Sequence, residues 1–254
     1  MPNSPRKNLL GVITLLSLLG CATPGEQDML TAFDQVRSHE LADAEQTLSR
    51  CVATVTHPPS LRQCYSLLAN VQLLREDWGA AAASFSRSFA MRDGGATQEG
   101  DGSGSAQSLF HWGWALLHSS DDDAETRRVL ERARQTARSH LKLYREGHLW
   151  LAASSLALAE LERRQSNEEA ALKYERDAAR SACQTRELKY LSQKDVEALY
   201  TWYIPTAMLV QMGDVCAKEG RIEHSRQVWL KAQGQAKARS EDAWLKLIQA
   251  RLNP

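Results

Sequence analysis

Apolar and small residues recur every three or four positions along most of the chain, and the repeats come in pairs. In "CYSLLANVQLLREDWGAAAASFSRSFAMR", residues 64–92, Tyr65, Leu68 and Ala69 mark a first helix. Trp78, Ala81, Phe85 and Ser88 mark a second. This is the helical period, and no stretch alternates at the period of two that a half-buried strand requires. In "LVQMGDVCAKEGRIEHSRQVWLKA", residues 209–232, Leu209, Met212 and Gly213 are followed by Ile222, Ser225, Trp229 and Ala232. Ala69 to Ala81 and Gly213 to Ser225 are both twelve residues apart. Small residues let two helices of a hairpin cross closely, and large apolar ones fill the gap beyond.

Weaker pairs lie between and before these. Residues 27–38 and "LADAEQTLSRC", with Ala44, Leu48 and Cys51, predict one hairpin. "LFHWGWALLHSS" predicts a first helix through Leu109, Trp112 and Gly113. Its partner begins after Asp121, with Glu125 where a small residue is expected. "LALAELERRQSNEEAALKYERDAA" supplies Leu158, Ala159, Ala171 and Ala178, with Tyr174 one place early. "SEDAWLKLIQARL" reads as a C-terminal capping helix. The predicted fold is all-α, with about five helical hairpins and that cap.

Two segments interrupt the pattern. Residues 93–105, "DGGATQEGDGSGS", are Gly-rich and aperiodic and predict a flexible loop. The loop lacks the Gly-Lys-Ser/Thr of a P-loop, and Asp101 lacks the further oxygens of a calcium loop. In "LSQKDVEALYTWYIP", Ser192 reads as the N-cap of a short helix ending near Tyr203, and Pro205 suits the first turn of the next. Tyr200, Trp202 and Tyr203 are either a partner-binding patch or the packing of an added helix.

The N-terminus has a different character. Arg6 and Lys7 precede an apolar run from Leu9 to Leu19, too short to span a bilayer. Leu18-Leu19-Gly20-Cys21 then resembles the lipobox of bacterial lipoproteins. That resemblance implies a signal peptide over residues 1–20, lipidation of Cys21 and an acylated tether over 21–27. Ala22, where Asp is associated with inner-membrane retention, favours the outer membrane of a Gram-negative source. A tether of about seven residues reaches roughly 25 Å.

The paired helices of 64–92 and 209–232 resemble tetratricopeptide (TPR) repeats. The spacing is longer than the family's: Ala69, Gly113, Ala159 and Gly213 are separated by 44, 46 and 54 residues, against about 34. The resemblance implies a TPR-like α-solenoid over residues 28–254, with a groove lined by first helices. Gln63, Ser66, Asn70, Gln211 and Asp214 are its candidate partner contacts. Ser66 stands where a clamp for C-terminal carboxylates would place Lys.

Composition narrows the function. The chain has 31 Lys and Arg against 31 Asp and Glu, so losing Arg6 and Lys7 leaves 29 against 31, a charge of −2. No basic patch points to nucleic acid. No His-Glu-x-x-His, Gly-x-Ser-x-Gly or Cys-x-x-Cys occurs, and the seven histidines are scattered. Asp121–Asp123 complement a helix start, and Glu160 and Glu162, two apart, face different ways. No catalytic residue, metal or cofactor is expected.

Four cysteines remain after Cys21. Cys51 and Cys64 are about equally far from the turn at His57–Pro59, so an antiparallel hairpin brings them level and predicts a disulfide. Cys183 and Cys216 read as small buried hydrophobes. The expected function is a lipid-anchored adaptor that assists an envelope complex, akin to secretin or pilus pilotins or to regulators of peptidoglycan enzymes. The alternative is a structural subunit permanently buried in a larger complex.

Overall fold

A computed structural model of the protein describes residues 24–93, 102–139, 141, 147–184 and 204–253. The expected signal peptide over residues 1–20, Cys21 and the segment with Ser192, Tyr200, Trp202 and Tyr203 lie outside them. The described residues form eleven helices and no strand. They are α1 (Pro24–Arg37), α2 (Leu41–Thr54), α3 (Pro58–Leu74), α4 (Trp78–Asp93), α5 (Gly102–Ser119), α6 (Asp123–Ser139), α7 (Gly147–Arg164), α8 (Glu168–Ala182), α9 (Thr206–Lys218), α10 (Ile222–Ala238) and α11 (Asp242–Leu252). The fold is all-α. None of these helices is long and apolar enough to cross a membrane.

The chain divides into two compact units, Met1–Thr97 and Gln98–Pro254. In the first, α1 pairs with α2 and α3 with α4, while α2 and α1 both pack on α3. In the second, α5 pairs with α6, α7 with α8 and α9 with α10, and α11 packs on α10. There the first helices also pack in sequence, α5 on α7 and α7 on α9.

A shared turn shapes most hairpins. His39, Glu76, Ser166, Gly220 and Ser240 all take left-handed φ values between 56° and 72°. Each donates its N–H to the carbonyl three residues back, and the next residue donates five residues back, as Glu76 to Leu73 and Asp77 to Gln72. This double bond satisfies the end of the first helix and reverses the chain within three residues. Only one of the five is glycine, so the packing beyond the turn sustains a conformation that costs other residues about 1–2 kcal/mol. The α5–α6 turn instead uses Ser120 and Asp122, whose side-chain oxygens accept from the N–H groups of Asp122 and Glu125.

The interior repeats with the turns. Ala44, Ala81, Thr126, Ala171 and Ser225 sit at one position of α2, α4, α6, α8 and α10, and all are fully buried. Seven residues on, Cys51, Ser88, Ala133, Ala178 and Ala232 are buried too. Thr126, not Glu125, fills the small site of α6, because the α5–α6 hairpin holds one residue more than its counterparts. The large residue four positions after the small one lies over its hairpin partner. A Cβ added to Gly113 would meet Leu130 at 2.4 Å, and one added to Gly213 would meet Trp229 at 2.3 Å.

Three boundaries differ from the expectation. α1 begins at Pro24, so residues 24–27 are helical rather than tether. The predicted loop shortens, because α4 runs to Asp93 and α5 starts at Gly102; residues 94–101 lie outside the description. Pro205 caps α9 rather than standing in its first turn.

Candidate functional site

In the first unit, Gln63, Ser66 and Asn70 follow one another along α3. Gln63 is exposed, and Ser66 and Asn70 are half-buried. Asn70 Nδ2 donates to the Ser66 carbonyl at 2.9 Å, which draws the amide back onto its own helix. Cys51, in the last turn of α2, is bonded to Cys64, near the start of α3, with Cα atoms 6.0 Å apart. At the other end of the same pair of helices, Glu45 accepts from Gln72 Nε2 at 3.1 Å and forms an ion pair with Arg75. Thus α2 and α3 run antiparallel and are tied at both ends. The turn between them is only three residues, Val55–His57, and a short connection leaves no other arrangement.

In the second unit, α6 and α7 are joined in the same way. Arg127 pairs with Glu162 and donates to Gln165 Oε1 at 2.7 Å. Asn167 Nδ2 donates to the second oxygen of Glu162 at 2.9 Å. A buried carboxylate is tolerated only when paired and hydrogen-bonded, and Glu162 is both. Burial pushes the Glu160 carboxyl above its ordinary range, opposed by Arg164 and Arg163. Glu160 occupies the position in α7 that Asn70 and Asp214 hold in α3 and α9; sequence reasoning weighed it only as a pair with Glu162 and not as a partner contact. Its sequence signal was available, one residue after Ala159.

The inner positions of α5 and α7 do not form an open polar groove. Phe110, Trp114 and Leu156 are buried, and Phe110 and His111 pack against Trp150 at 5.8 and 5.7 Å between ring centroids. α7 is buried on every face, from Leu149 through Leu161 with the single exception of Glu160. A helix apolar all round belongs to a core.

Asp214, expected in the groove, is engaged internally. Its carboxylate accepts from Arg251 Nε at 2.6 Å and Nη2 at 2.7 Å, and from Trp229 Nε1 at 3.1 Å. It fastens α11 to the α9–α10 hairpin instead of presenting a charge to a partner. Gln211 is half-buried beside it.

A further surface feature lies between α8 and α9. Here Glu175 stands where Leu48, Phe85, Leu130 and Trp229 stand in the other second helices. It is held by Arg163 at 2.6 Å and Lys218 at 3.6 Å. Beside it lies an open cleft of about 400 Å³, lined by Leu172, Glu175, Arg176, Ala179, Val215, Lys218 and Glu219. Leu172 on its rim is 47% exposed.

The same region holds a second disulfide. Cys183, at the end of α8, is bonded to Cys216, in the last turn of α9, with Cα atoms 5.6 Å apart. The expectation of two unpaired buried hydrophobes is therefore corrected. Cys216 is fully buried, but Cys183 is half-buried. The bond thus joins the C-terminal ends of α8 and α9. Residues 183–205 connect them, and so long a connection imposes no direction.

Among the described residues, no group of three or more His, Cys, Asp or Glu is placed to hold a metal ion. The acidic run behaves as a helix start: Asp122 caps α6, and Asp123 accepts from Gln165 Nε2 at 2.8 Å. No known family model matches the chain, and no curated protein matches it in sequence.

Proposed function

We propose that the protein is a lipid-anchored adaptor of the bacterial cell envelope, a TPR-like α-solenoid that holds a protein or peptide partner. The observation that carries this reading is the repeated interior: five second helices with a fully buried small residue at one position and another seven residues later. Such hairpins expose continuous surfaces whose use is binding. The Leu18–Cys21 lipobox supports anchoring through Cys21 in the outer membrane, facing the periplasm. Two disulfides suit that oxidising compartment. Both suggested roles, a pilotin of a secretin or pilus and a regulator of peptidoglycan enzymes, rest on analogy of fold.

The candidate contacts are Gln63 and Ser66 on α3, Gln211 on α9 and the α8–α9 cleft. Asp214 joins them only if Arg251 is displaced. Photocrosslinkers at Gln63, Gln211 and Leu172, followed by identification of the captured protein in cells, test the reading. A defined envelope protein recovered at one or more positions supports it, and no capture at any position overturns it. Anchoring is tested by the mass of the mature N-terminal peptide: a Cys21 without acyl groups removes it.

The alternative, a subunit permanently buried in a larger complex, is favoured by one observation. Ile222 is 60% exposed and Leu230, two turns along the same face of α10, is 50% exposed. Permanent interfaces are the more apolar kind. A partner that co-purifies in fixed ratio through high salt distinguishes it from transient capture.

A further inference from the structure

We propose that the Cys183–Cys216 disulfide is a redox-sensitive lock on the cleft between α8 and α9, opened by a dithiol reductant. The two disulfides of the protein occupy unlike settings. Cys51 and Cys64 are both fully buried, and they join helices that a three-residue turn and the Glu45 contacts already hold together. Cys183 is half-buried at a helix end, and its bond joins residues 33 apart in sequence. Across the same interface stand a cleft of about 400 Å³ and the 3.6 Å pair of Glu175 with Lys218, whose side chain is 68% exposed. His224 Nε2 meets the Ala182 carbonyl at 2.9 Å. α8 also packs directly on α9, and the ion pair, with Lys218 largely exposed, adds little to that; the covalent bond is what fixes the end of α8 to α9, with Cα atoms 5.6 Å apart. α8 and α9 each also pack on α7, apart from this bond. Breaking the bond therefore loosens the cleft without dissolving the unit.

The chemistry is thiol–disulfide exchange. A thiolate of the reductant attacks Sγ of Cys183, the more accessible sulfur, and Cys216 leaves as a thiolate that takes up a proton. The reductant's second thiolate then attacks the mixed disulfide and releases Cys183 as a thiol. Two electrons pass to the protein, and the reductant departs as a disulfide. An envelope dithiol oxidoreductase is the fitting class, and dithiothreitol is the laboratory probe. The lock stands whatever the repeat binds.

The test is hydrogen exchange on the full mature chain, with the thiol state checked by alkylation and mass. With limiting dithiothreitol, Cys183–Cys216 is reduced before Cys51–Cys64. Amides of residues 176–184 and 212–219 then exchange at least about tenfold faster, while those of α5 to α7 keep their rates. The C183S/C216S variant shows the same local pattern without reductant. Unchanged exchange after verified reduction overturns the proposal. So does loss of protection throughout α5 to α11, which would make the bond a support of the whole unit, or prior reduction of Cys51–Cys64.

Discussion

Arg127 near the start of α6 holds Glu162 on α7 at the position where Glu45, near the start of α2, meets Gln72 on α3. The acid sits on the second helix in one unit and on the next hairpin's first helix in the other. The position of the contact is retained while the acid changes sides, so position and not residue type carries the joint between hairpins.

Removing one side of the buried joint leaves an uncompensated charge. Glu162 is only 3% exposed, so Arg127→Met should lower unfolding stability by about 2–3 kcal/mol, less than the roughly 3–5 kcal/mol of a fully buried pair because Arg127 is itself partly solvated. The double variant R127M/E162L should regain all but about 1 kcal/mol, since no charge is then buried alone. Urea denaturation of the four proteins of the cycle checks both.

The glycines separate by what a methyl group would meet. Gly213→Ala drives a Cβ to within 2.3 Å of the Trp229 ring and should cost about 1–3 kcal/mol. A Cβ at Gly79 on α4 meets nothing within 4 Å, and Gly79→Ala should stabilise by about 0.4–1 kcal/mol through the unfolded chain. Thermal unfolding of the two variants should shift in opposite directions.

Asp214→Asn breaks the two-pronged hold on Arg251. The capping helix α11 should then fray, with its amides exchanging faster and limited proteolysis cutting within Asp242–Leu252, while α9 and α10 stay protected. A charge-assisted contact of this kind is worth about 1.5–3 kcal/mol. Proteolysis that leaves α11 as resistant as before would show that its apolar contacts suffice.

Glu160 supplies a pH signature. Burial disfavours its ionised form, so its carboxyl titrates above the unfolded value of about 4.3. The fold is favoured while the acid is protonated, below the unfolded pKa. That advantage is lost as pH rises through the folded pKa. Glu160→Gln, always neutral, should therefore raise the melting temperature at pH 7, and the gain should vanish near pH 3.5. A gain equal at both pH values would point to packing and not to charge.

Helicity and the phase of the strongest hairpins were legible in the chain because both are local. The twelve-residue step from Ala69 to Ala81 spans two half-helices and a tight turn, and nothing distant alters it. Cys51 and Cys64 were countable as a level pair for the same reason: three turn residues leave the helices one way to run. Glu125 was assigned to the small site because the step was taken as constant, and a single added residue in the α5–α6 hairpin moved that site to Thr126. Of the expected partner contacts, Gln63 is exposed, whereas Asp214 belongs to Arg251, 37 residues away.

By itself, then, the sequence determined the helices, their pairing and the Cys51–Cys64 match, all set by periodicity and short connections. Tertiary structure alone decided the Cys183–Cys216 bond, the capture of Asp214, the burial of α7 on all sides and the cleft beside Glu175. Each depends on which residues meet across long connections. There the direction of packing comes from how whole helices fit together, and no local pattern of residues encodes it.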